Sequence, residues 1–121
     1  MPFAHKYKTE VGGYKTTTKL PNGEVLELFD TNYLCRALGK DYFIIRRWEL
    51  CGILPKTCFM RYDTYWRLYS QEQIKAIVEN FEKYYVGKTY SISRTLFPKK
   101  CHEAFATLQK KYLGGTNSEK S

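Results

Sequence analysis

Apolar residues recur along this chain first at strand-like and then at helical spacing, and each change of spacing marks an element. Thr16-Thr17-Thr18 and Val25 to Phe29 flank Pro21-Asn22-Gly23, so a hairpin over Tyr14–Phe29 is expected, with Asn-Gly supplying positive φ angles at the turn. Asp30 or Thr31 then caps a short helix to about Leu38, with Leu34, Ala37 and Leu38 turned inward and Gly39 ending it. Asp41 is a good N-cap for a second helix from Tyr42 to about Cys51. Ile44, Ile45, Trp48 and Cys51 form its inner face, and Arg46, Arg47 and Leu50 fall toward the outer side.

Pro55 forces Ile53-Leu54-Pro55 into an extended segment. Phe59 to Tyr69 has strand character, with Asp63-Thr64 as a turn, and predicts a second hairpin in which Tyr62, Tyr65 and Trp66 pack across the strands, with stacking on bases or sugars as the less favoured alternative. Ser70 and Gln73 form the Ser-x-x-Gln capping box of a longer helix, with Ile74, Ile77, Val78, Phe81, Tyr84 and Tyr85 at helical spacing. Beyond Gly87 the pattern weakens. A last helix is expected over Lys99–Leu113, with Ala104, Phe105, Leu108 and Tyr112 on one face, lysines around it and Gly114-Gly115 as its end. Residues 116–121 read as a disordered tail.

Charge changes the picture from fold to partner. The 121 residues carry 20 basic and 12 acidic side chains, a formal charge of +8, which favours an anionic partner with nucleic acid first and anionic membrane second. The excess is uneven: two basic zones, Arg36–Arg67 and the stretch after Tyr85, flank a near-neutral helix. No apolar run reaches about 18 residues, and the first twenty residues lack a secretion signal's apolar core, so a cytoplasmic protein with no membrane partner is expected. Cys35, Cys51, Cys58 and Cys101 form no C-x-x-C pair and read as reduced, mostly buried thiols. Cys51, Cys58, Cys101 and His102 lack the paired short loops of structural zinc, and Cys101-His102 are neighbours that point apart on a helix. No metal, no cofactor and no catalytic residue is expected, hence no enzyme.

Two short helices with a tight turn, then a hairpin, then a longer helix, is the order of a winged helix-turn-helix. The residues also carry a resemblance. "LCRALGKDYFIIRRWELCGILP", followed by "RLYSQEQI", resembles the DNA-binding module of MerR-type regulators and of related small phage and excisionase-like proteins. The matching positions include Leu34, Ala37, Gly39, Ile45, Arg46, Trp48, Glu49, Gly52 to Pro55, Arg67 to Ser70 and Ile74, so the resemblance covers about residues 31–85. It implies duplex DNA binding, with Arg46 and Arg67 at positions where family members grip phosphates. Phe43 stands where many members have a polar or basic residue, Lys40 where a small apolar residue usually packs the turn, and Arg47 where many have an aromatic. The long dimerisation helix and effector segment of full-length activators are replaced by a basic helical segment, which makes an inducer-responsive, metal-sensing activator an unfavoured reading.

The expected fold is therefore α+β: a MerR-like winged helix-turn-helix core over residues 31–85, an extra N-terminal hairpin over 1–30, and a basic helical segment over 86–115. The expected DNA contacts are Lys40, Tyr42, Phe43, Arg46, Arg47, Lys56, Arg61, Tyr65, Arg67 and Tyr69. Trp48 and Tyr69 also read as core. The expected partner is double-stranded DNA, bound by a small transcriptional regulator or architectural factor of phage or mobile-element type. A homodimer would use the helix from Gln71 or the last helix. The alternative is a module of the same fold that binds a host or virion protein, favoured by Phe43, Leu50 and the aromatic hairpin.

Overall fold

In a computed structural model, residues 13–114 are described; the expected disordered tail and Gly115 lie outside them. The architecture is mixed α+β. Strand β1 (Lys15–Lys19) turns through Gly23, whose φ is +95°, into β2 (Val25–Asp30). Helix α1 (Thr31–Leu38) follows directly, because the Asp30 carboxylate accepts the Asn32 N–H at 3.0 Å and caps it as the strand ends. Gly39, at φ +67°, closes α1 in the left-handed region, and Asp41 caps α2 (Tyr42–Cys51) by accepting the Phe43 N–H at 3.0 Å. Only Lys40 lies between the residue that closes one helix and the residue that caps the next.

Strands β3 (Phe59–Met60) and β4 (Arg67–Ser70) form the second hairpin, which is much shorter than expected. The Ser70–Gln73 capping box then opens α3 (Gln71–Tyr84). A short 3-10 turn, Ile92–Arg94, precedes α4 (Phe97–Gln109), which runs into a π-helical turn at Lys110–Gly114. Helix α4 starts two residues before the expected Lys99. Pro98 suits the first turn, where its missing N–H costs nothing.

The four strands pair antiparallel in the order β1-β2-β4-β3. Leu28 pairs with Ser70 and Asp30 with Leu68, so the N-terminal hairpin continues the sheet of the second hairpin. The core collects Leu34 and Cys35 from α1, Ile45 and Trp48 from α2, Tyr69, Ile77 and Phe81, and Phe97, Cys101 and Phe105 from α4. At its centre the Trp48 ring lies 6.2 Å from Phe81 and 5.8 Å from Phe97, centroid to centroid. Helix α4 thus shares a core with the first three helices. Two inward expectations fail: Ala37 and Cys51 are exposed, since α1 and α2 are each covered over a narrower arc than their spacing allows. No helix among the described residues is long and apolar enough to cross a membrane.

Candidate nucleic-acid interface

Helix α2 separates its two faces sharply. Ile45 is fully buried and Trp48 nearly so, whereas Phe43 is 78% exposed and Leu50 71%. Arg47 is exposed beside them, and no ion pair holds it among the described residues. Two large apolar side chains kept in water by a helix with a well-formed core are the unusual feature, because a lone exposed leucine is common but a paired display on one face is not.

Below that face lies Glu49, whose side chain has no solvent exposure. A carboxylate is expensive to bury unless every oxygen is partnered, and here both are. Arg46 Nη1 donates to Oε1 at 2.6 Å, while Oε2 accepts from Thr31 Oγ1 at 2.8 Å and from the Tyr69 hydroxyl at 2.5 Å. Arg67 Nη2 donates to the Glu49 backbone carbonyl at 2.9 Å and so ties β4 to the end of α2. The hydrogen bond to Glu49 raises the Arg46 pKa above its ordinary value. Burial first, and Glu49 second, hold the Tyr69 hydroxyl well above the ordinary tyrosine range.

This arrangement revises the roles of three expected contacts. Arg46 was expected on the outer side, yet it is half-buried with one nitrogen committed to Glu49. Arg67 is half-buried too, and its Nη1 is enclosed without a hydrogen-bond partner among the described residues. Each arginine offers a ligand only what Glu49 leaves over. Tyr69 has no exposure and packs edge-on against Phe105, with ring centroids 6.2 Å apart, so it presents no surface for a contact. Glu49 belongs to the matching pattern but is absent from the expected site. The three-residue step from Arg46 was the available signal, since such pairs meet on a helix.

The tip of the second hairpin departs from expectation in another way. With β3 only two residues long, Tyr62, Tyr65 and Trp66 find no strand opposite to pack on, and they are 88%, 74% and 52% exposed. Tyr65 has a φ of +59°, the only positive value at a non-glycine residue among those described. The loop is braced all the same. The Arg61 N–H donates to the Trp66 carbonyl at 2.8 Å, and the Tyr65 N–H returns to the Arg61 carbonyl. The Arg61 guanidinium lies 3.9 Å over the Tyr14 ring, and its Nε sits 3.0 Å from Asp63 Oδ1.

Between α2 and this hairpin runs a cleft of about 290 Å³. Tyr42, Arg46 and Leu50 line it from α2; Lys56, Met60, Tyr65, Trp66 and Arg67 line it opposite, with Asp30, Thr31 and Asn32 also contributing. The structure thereby brings Tyr42, Arg46, Lys56, Tyr65 and Arg67 of the expected set together. Phe43, Arg47 and Arg61 lie outside the cleft lining. Lys40 is half-buried, its ammonium 5.6 Å from the Phe81 ring centroid on α3. Leu50, Met60 and Trp66, together with Asp30, Thr31, Asn32 and Thr57, are lining residues absent from the expected contacts.

The far side of α2 is fastened to α4: His102 Nε2–H donates to the Gly52 carbonyl at 2.8 Å, just where Gly52, at φ +88°, ends the helix. His102 is thus used in packing. Buried Cys101 is 3.9 Å from Asn80 Nδ2, and no cluster of metal-ligating side chains occurs among the described residues.

No family model, no curated protein and no solved structure matches this chain.

Proposed function

We propose that this chain binds double-stranded DNA as a winged helix-turn-helix of MerR type, acting as a small transcriptional regulator or architectural factor. In this reading α1 and α2 are the helix-turn-helix, α2 docks in the major groove, and the β3–β4 hairpin is the wing along the backbone. The observation that carries it is the joint face of α2 and the hairpin, held together by the Arg67–Glu49 hydrogen bond, with Arg47 and Lys56 exposed on a chain of charge +8. Arg47 and Lys56 are the cations available for phosphates, since Arg46 and Arg67 are engaged with Glu49 and Arg61 with Asp63.

The test is fluorescence anisotropy with mixed-sequence duplex DNA and the double variant Arg47→Glu, Lys56→Glu. Both side chains are exposed, so the variant keeps its melting temperature while its affinity falls at least about tenfold, the order expected for reversing two phosphate contacts. Equal affinity of variant and wild type rules the reading out.

A second reading has its own observation. Phe43 and Leu50 project from the face of α2 that would read base edges, and apolar side chains there suit a protein surface. A stoichiometric protein partner released by Phe43→Ser, Leu50→Ser, in a chain that binds no DNA, establishes that alternative.

A further inference from the structure

An exposed tyrosine in the left-handed region costs about 1–2 kcal/mol of backbone energy that glycine or asparagine would not incur. At the hairpin tip this cost is carried by Tyr65, between Tyr62 and Trp66, in a loop too short to bury any of the three rings. Strain of this kind persists only where the surroundings enforce it. Here Arg61 enforces it, with its carbonyl accepting the Tyr65 N–H, its N–H bonded to Trp66, and its guanidinium fixed between the Tyr14 ring and Asp63. The tip is therefore a fixed display of three aromatic side chains and not a collapsed loop. Its single acid, Asp63, is paired with Arg61, and exposed Lys56 stands on the same side of the cleft as Tyr65 and Trp66.

Resting on the DNA-binding reading, we propose that Tyr62, Tyr65 and Trp66 form a stacking surface for bases, and that the protein prefers duplex DNA carrying unpaired or unstacked nucleotides. The chemistry selects this ligand. Base faces in an intact duplex are covered by their neighbours, so aromatic rings at a wing tip reach a base face only where a step is open or a nucleotide is extruded. Aromatic faces beside cations match bases beside phosphates. An apolar protein surface would leave Lys56 unpaired, and an acidic one would leave the three rings in water.

Trp66 is also the reporter, because Trp48, the other tryptophan, is 7% exposed in the core while Trp66 is 52% exposed. The full chain is titrated with a fully paired duplex, with the same duplex carrying a two-nucleotide bulge, and with polyphosphate as an anion without bases, following tryptophan emission and anisotropy together. Stacking one base is expected to tighten binding to the bulged duplex roughly fivefold to a hundredfold over the paired duplex. It also quenches an emission component that is lost in Trp66→Ala and kept in a Tyr90→Ala control, whose exposed ring lies outside the hairpin. Tyr65→Ala, Trp66→Ala loses the preference and binds the bulged duplex no more tightly than the paired one. Both duplexes bound equally, with Trp66 emission unchanged, overturns the stacking proposal and leaves DNA binding standing. Quenching by polyphosphate equal to that by the bulged duplex overturns it as well. Failure to bind either duplex overturns the DNA reading and the stacking proposal with it.

Discussion

Replacing Glu49 by glutamine tests whether the buried carboxylate organises the candidate interface. Glu49 accepts from Arg46 on one oxygen and from Thr31 and Tyr69 on the other, with no exposure to water. An amide has one oxygen. If that oxygen faces Thr31 and Tyr69, the amide nitrogen meets the Arg46 guanidinium donor to donor, and Arg46, 36% exposed, swings into solvent. The loss is then one charge-assisted hydrogen bond, about 1.5–3 kcal/mol. If the oxygen instead faces Arg46, the Thr31 and Tyr69 hydroxyls rotate to accept from the amide, and buried Tyr69 has no other acceptor among its hydrogen bonds in the described structure. Either way the expected cost is about 2–3 kcal/mol, and Glu49→Ala, which strands both hydroxyls, costs about 3–5 kcal/mol. At this chain length about 1 kcal/mol lowers the melting temperature by roughly 3–5 °C. Urea titration of Glu49→Gln, Tyr69→Phe and the double variant completes the cycle, with a coupling of about 1–2 kcal/mol expected for directly bonded partners. A Glu49→Gln protein within about 0.5 kcal/mol of wild type, or strictly additive variants, refutes this account of the network.

Three further perturbations follow from the same geometry. Arg67→Ala removes the bond from β4 to the Glu49 carbonyl and is expected to cost about 1–2 kcal/mol; an unchanged urea midpoint contradicts the tie between hairpin and helix. Gly52→Ala places a methyl group in open space at φ +88°, so its expected cost of about 1–2 kcal/mol is backbone strain alone, and a stabilised variant would refute that attribution. Burial pushes the Cys35 and Cys101 thiols from 9.0 up to about 12. Folded values above the unfolded ones mean stability is full below about pH 9 and is lost as pH rises toward 12; urea midpoints at pH 8 and 10.5 should differ, and less so in Cys35→Ala, Cys101→Ala, whereas equal wild-type midpoints contradict the burial.

How much of this was legible in the sequence depended on whether the signal was local. Asp30, Asp41 and Ser70 announce helix starts, and Gly39 and Gly52 announce ends, because capping and positive φ are properties of one residue and its immediate neighbours. The pairing of β2 with β4 was not legible, since residues about forty positions apart in the chain meet there and each strand's own pattern leaves its neighbour open. The site shows the same division. Exposure of Phe43, Arg47 and Leu50 follows from helical periodicity, but the burial of Glu49 depends on Thr31 and Tyr69 arriving from two other elements. The tip aromatics misled because their residue types favour strands, while the pairing that would have buried them stops at Met60 and Arg67.

The measurement that bears most directly on the central claim is the salt dependence of wild-type binding to duplex DNA. Contacts from Arg47 and Lys56, the two cations available, amount to about two phosphates, which predicts that log K falls with log salt at a slope of about −2. A slope near zero, or no measurable affinity for duplex DNA at low salt, contradicts the assignment of this face to nucleic acid.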